Sequence, residues 1–225
     1  AAYEQGIVAG LDAGLGVLLE LLPSLSRLHD AGITHGVLGP GRIMVTPAGQ
    51  IVLVDAIYGE VVEKLQLTRK RLWAELRLAF PSTAGAPRFD KAGDLTQAAI
   101  VTAAVIVGRP LRDDEYPDGL PALRQEIAEI ASIRGSKSFA EGIDKFFAAA
   151  LPLPSRKSPL TSADEAAIDL RKLLRKEVGI TTCRNAMIEF FQQVDTAEKE
   201  RAVAVQAEMV RMEAERAAIA AKTRD

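Results

Sequence analysis

Few residues in this chain are equipped to do chemistry. It holds two histidines, His29 and His35, and one cysteine, Cys183, among 225 residues. One cysteine closes no disulfide within the chain, and two histidines beside it make no Cys/His zinc cluster. Gly10-x-x-x-Gly14-x-Gly16 is rich in glycine, but a phosphate cradle follows a strand, and no strand is legible upstream. His35 reads as a packed, hydrogen-bonded core histidine rather than a catalytic group. Asp55 follows a β-rich run directly, where a carboxylate either ligates a metal or caps a turn. Arg69-Lys70-Arg71 is a basic cluster that either docks an acidic partner or faces solvent. Cys183 stands in helix-like sequence and reads as a packing residue, not a reactive thiol.

The elements that must position these residues are mostly helices. Hydrophobic content is 48%, enough for a real core, and the net charge of −2 argues against a nucleic-acid-coating protein. The apolar spacing predicts a buried helix over 15–29, bent or interrupted at Pro23, after an irregular segment 1–14. A β-hairpin follows at about 43–54, its strands flanking the turn residues Pro47 and Gly49. One or two amphipathic helices span about 60–80, with Trp73 on the apolar stripe. Residues 95–108 form an uncharged run shorter than the ~20 residues a bilayer requires, so it reads as a helix of about 94–107 buried on every side. Further helices are expected over 121–133, 139–150 and 163–176, the last opened by Thr161 or Ser162 with Glu165 as a capping box. From about 182 to 222 the chain has no Gly or Pro and reads as one long charged helix. Its heptad is interrupted at Glu198 and Arg201, between Met187, Phe191, Val194 and Val205, Met209, Met212. The domain reading is a body over 1–180 and a helical extension over 181–225, a coiled coil or a linker. A chain starting without Met and ending in charged helix reads as part of a longer protein. No membrane span is expected, and the single cysteine fits a reducing, cytoplasmic setting.

One hairpin within a helical body built around a buried helix resembles the C-terminal lobe of the eukaryotic-like protein kinase family. The residues carry the likeness in order. Leu28-His29-Asp30-Ala31-Gly32-Ile33-Thr34-His35-Gly36 resembles the helix end and histidine that open a kinase catalytic loop. Asp55-Ala56-Ile57 falls at the Asp-Phe-Gly motif, and Ala86-Pro87-Arg88 at Ala-Pro-Glu. Asp94 through Gly108-Arg109-Pro110 resembles the buried helix of the family, and Leu153-Pro154-Ser155-Arg156 with Thr161 and Glu165 the run before its last helix. The N-terminal lobe has no counterpart in this chain.

The resemblance implies a fold without the chemistry. Phosphoryl transfer needs a carboxylate to orient the substrate hydroxyl and ligands to hold Mg²⁺. By the same likeness, the base position is Val37, the phosphate-facing Lys position is Gly39, and the metal-binding Asn position is Arg42. Asp55 is the remaining candidate metal ligand, and one carboxylate makes a poor Mg²⁺ site. The structural positions of the family survive: Asp94 would accept hydrogen bonds from the loop near His35. Arg156 would seek an acid, with Arg88 where the family has Glu and Asp90 as a substitute. The expectation is a pseudokinase: no catalytic residues, no cofactor, and a scaffold or regulatory role through protein partners. The C-terminal helix would support a homodimer or lead to a further domain. The competing readings are a nucleotide-binding regulator or atypical phosphotransferase using Asp55 with a lobe outside this chain, and a helical domain with an accidental likeness.

Overall fold

The computed structural model describes residues 6–83, 85–153 and 160–222. It is mainly helical, with a single two-stranded antiparallel sheet among the described residues. Eight α-helices run in chain order: α1 Gly10–Asp30, α2 Tyr58–Lys64, α3 Arg69–Leu76, α4 Lys91–Val107, α5 Leu120–Arg134, α6 Lys137–Ala150, α7 Ala163–Glu177 and α8 Ile180–Lys222. The strands β1 Ile43–Val45 and β2 Ile51–Leu53 pair Ile43 with Leu53, Met44 with Val52 and Val45 with Ile51.

α1 departs from the sequence reading at both its start and its middle. It begins at Gly10, within the segment expected to be irregular, and runs through Pro23 without ending. An interior proline costs a helix about 3 kcal/mol. The burial of Leu15, Leu18, Leu19, Leu21, Leu22 and Leu25 outweighs that cost. The glycines of the early motif are packing residues. A β-carbon at Gly14 would collide with Ile106 of α4, and one at Gly16 with the Cys183 carbonyl of α8. Glycine there lets both neighbours approach the α1 backbone.

α4 is buried along most of its length, and it starts three residues before the expected position 94, at Lys91. Asp90 sets that start, its side chain accepting from the Gly93 N–H at 3.0 Å. Gly108, with φ of +69°, ends the helix in the left-handed conformation. Ser136 and Ser162 cap α6 and α7, accepting from the Phe139 and Glu165 N–H groups. Arg156 lies outside the described residues, as do Pro154 and Ser155.

α8 has two parts of different character. Over roughly its first three turns it packs on α1, burying Cys183 and Met187 and half-burying Ile188 and Phe191. From Glu198 to Arg216 every residue is exposed. No helix among the described residues is long and apolar enough to cross a membrane.

Candidate functional site

The loop from His35 to Arg42 is held from below by two side chains of α4. Asp94 is fully buried, and its carboxylate accepts from the His35 N–H at 2.8 Å and the Gly36 N–H at 2.7 Å. His29, at the end of α1, donates from Nε2 to the same carboxylate at 2.9 Å. Three donors offset the desolvation that would otherwise forbid a charge in this position. One turn along α4, Gln97 accepts from the Leu38 N–H at 2.6 Å and donates to the Gly36 carbonyl at 2.9 Å. The backbone from His35 to Leu38 is therefore fixed by an i, i+3 pair on one helix face.

His35 sits within this frame as a core residue. Its Nε2 lies 2.9 Å from the Val54 carbonyl, which can only accept, so that nitrogen carries the proton. Burial pushes the imidazole below its ordinary range, against the opposing pull of Asp94. The His35 carbonyl meets α2 at Gly59, where a β-carbon would stand 2.6 Å from that oxygen.

The outer edge of the loop presents apolar and self-neutralised groups. Val37 is fully buried in an apolar cluster with Leu72, Leu78 and Phe80. The segment bearing α2 and α3 thus closes over Val37. Tyr116 secures that cover, with its hydroxyl donating to the Phe80 carbonyl and accepting from the Phe80 N–H. Burial pushes the Tyr116 hydroxyl up to about 12, so it stays a donor. Arg42 Nη1 donates to the Val37 carbonyl at 3.2 Å, and its Nε lies 3.9 Å from the Asp55 carboxylate. Asp55 has φ of +66°, an uncommon conformation for a residue with a β-carbon, and its carbonyl accepts from the Tyr58 N–H to start α2. Its carboxylate thus has a guanidinium beside it rather than a second ligand. Among the described residues, no group of three His, Cys, Asp or Glu side chains converges as a metal site.

The basic cluster is largely occupied. Arg69 donates to the Pro81, Gly85 and Ala86 carbonyls, stapling the loop before α4. Lys70 pairs with Asp118 and Arg71 with Glu75. Asp90, a sequence candidate for pairing with Arg156, is the α4 cap. Burial raises the Cys183 thiol to about 12, leaving it inert as a nucleophile.

The structure brings His35, Asp94, Arg42 and Asp55 into one region, with Val37 between its two faces. The sequence reading missed His29 and Gln97 as clamp residues. Gln97 carried a signal, because an amide in a helix apolar all round must find partners. No protein-family model matches the chain, and no curated protein matches it.

Proposed function

We propose that this chain is a catalytically inactive, protein-kinase-like C-terminal lobe that acts as a cytoplasmic protein-interaction scaffold. The observation that carries the reading is the placement of Arg42. Its guanidinium spans from the Val37 carbonyl to the Asp55 carboxylate. A fixed cation there neutralises the one candidate ligand and repels a divalent ion. Val37 supports the same reading, since a buried aliphatic side chain can take no proton from a hydroxyl. The Asp94 clamp is what the likeness implies for a loop kept for its shape. The exposed part of α8 is the element assigned to self-association or to a further domain. Val205, Met209 and Met212 share one stripe, with Val203 and Val210 on the opposite side.

The test is a thermal shift titration with ATP alone, with Mg²⁺ and with Mn²⁺. Any ligand of the folded state raises the melting point by mass action. The expected result is no shift in all three arms. A metal-dependent shift that disappears in Asp55→Ala would replace the scaffold with the nucleotide-binding regulator. Sedimentation of the chain and of a version ending at residue 194 tests the role of α8, with loss of a dimer expected on truncation.

A further inference from the structure

The large apolar side chains left exposed are not evenly spread. Ile33, Met44, Val52, Ile57, Val61 and Leu65 all fall between residues 33 and 65. The rest of the body outside α8 shows Val8, Ile133 and Ile168, far apart in the chain. Contiguous exposed apolar surface on a folded chain marks an interaction site, whereas single exposed residues need no explanation.

Ile57, Val61 and Leu65 recur every fourth residue along α2 and its flanks, forming one outward stripe, with Ile57 78% exposed. Gly59 points the other way, into the His35 loop. On the flank between, Glu60 and Glu63 form one wall of a groove of about 460 Å³, facing Leu28 and Ile33, with Phe89 also lining it. A second cavity of about 510 Å³ shares Glu63 and Phe89 with the first and continues to Leu67 and Pro87. The two make one groove along α2.

Its charge is one-sided. Glu60 and Glu63 are exposed, and neither takes part in an ion pair among the described residues. Leu28 and Gly32 place the end of α1 at the groove, and Arg27 and His29 of its last turn do not line it. Lys64 and Arg88 neighbour lining residues in sequence, but neither lines the groove.

We propose that the groove along α2 docks a basic segment of a partner protein, with cations facing Glu60 and Glu63 and apolar side chains against Ile33, Ile57 and Phe89. The proposal rests on the scaffold reading only in taking protein binding as the work of the chain. The probe is a synthetic amphipathic helix of Leu and Lys, with a Leu/Glu helix of the same pattern beside it, each titrated into the chain by calorimetry at low and high salt. The Leu/Lys helix is expected to bind, more weakly as salt rises, and the Leu/Glu helix is not. Glu60→Lys with Glu63→Lys should weaken Leu/Lys binding about tenfold or more, and Ile57→Ser about tenfold. Glu198→Lys with Glu200→Lys on α8 changes the net charge equally and should leave binding unchanged.

Equal binding of the two helices, or equal weakening by the α8 pair, would overturn the proposal. So would a double reversal at Glu60 and Glu63 without effect. A wild-type dimer in sedimentation that this reversal dissolves would show a second copy in the groove, and would also overturn it. A nucleotide response in the thermal shift leaves this titration untouched, so the groove and the scaffold reading fail separately.

Discussion

The two faces of the His35 loop are built to different standards. On the inner face, Asp94 and Gln97 make five hydrogen bonds to the loop and to His29, at distances from 2.6 to 2.9 Å. On the outer face, Val37 is sealed under Leu72 and Phe80, and Arg42 faces Asp55 across 3.9 Å. The inner face keeps the loop in one conformation. The outer face gives that conformation no proton acceptor to present. This contrast is the ground on which we propose a scaffold rather than an enzyme.

The comparison breaks first at Asp94. Asp94→Ala would leave the buried His35 and Gly36 N–H groups and the His29 ring without their acceptor. Loss of a buried charged acceptor costs about 3–5 kcal/mol. Urea unfolding should show a loss on that scale, and a loss below about 1 kcal/mol would mean the clamp is not what fixes the loop.

Val37→Asp comes next, and it sharpens the contrast. A carboxylate at this position stands among Leu72, Leu78 and Phe80 with no donor in that cluster. A polar group buried without a partner costs about 1–3 kcal/mol, and a charge more. Gly39→Ala should be nearly neutral although Gly39 is buried, because a β-carbon there meets nothing closer than Arg42 Nη1 at 3.9 Å. The pair of unfolding curves separates a buried position that rejects a polar group from a buried one with room for a methyl group in the same loop.

The effect of pH follows from His35. Its folded-state pKa lies below the ordinary 6.5 because burial disfavours the imidazolium. Above 6.5 the ring is neutral whether the chain is folded or not, and its contribution does not change with pH. As pH falls through 6.5 the unfolded chain takes up a proton that the folded chain refuses, so stability declines until the folded pKa is passed. An NMR titration of the ring protons should place the His35 midpoint below 6.5, and a midpoint above it would mean that the pull of Asp94 and Val54 outweighs burial.

Much of this architecture was legible in the residues. The β-rich runs flanking Pro47 and Gly49 marked the hairpin, and the uncharged run after Asp94 marked α4, because each element carries its signature locally. What escaped was set by packing between distant segments. Gly14 looked irregular, and Gly16 gave no sign of a close contact, because their roles depend on Ile106 and Cys183, far along the chain. Pro23 looked like a break because the leucines around it bury against several helices at once. The anchoring role of Asp94 was implied by family likeness, whereas its partnership with His29 depends on where the end of α1 meets α4. The exposed stripe on α2 was read as part of a longer amphipathic span, and only the turn after Lys64 leaves it facing outward.

The smallest expected effect tests the outer face most directly. Arg42→Asn removes a hydrogen bond to the Val37 carbonyl and a half-exposed ion pair with Asp55. An exposed pair contributes about 0.2–1 kcal/mol, so the stability change should stay under about 1.5 kcal/mol with the hydrogen bond included. The variant also takes the fixed cation away from Asp55. If Arg42 is what keeps a divalent ion out, Mn²⁺ should broaden the Asp55 backbone resonance in Arg42→Asn and leave it sharp in the wild type. Broadening in the wild type would show that no exclusion operates, and a sharp resonance in both would move the exclusion from Arg42 to the geometry of Asp55 itself. The left-handed backbone at that residue would then be what holds its carboxylate away from a second ligand.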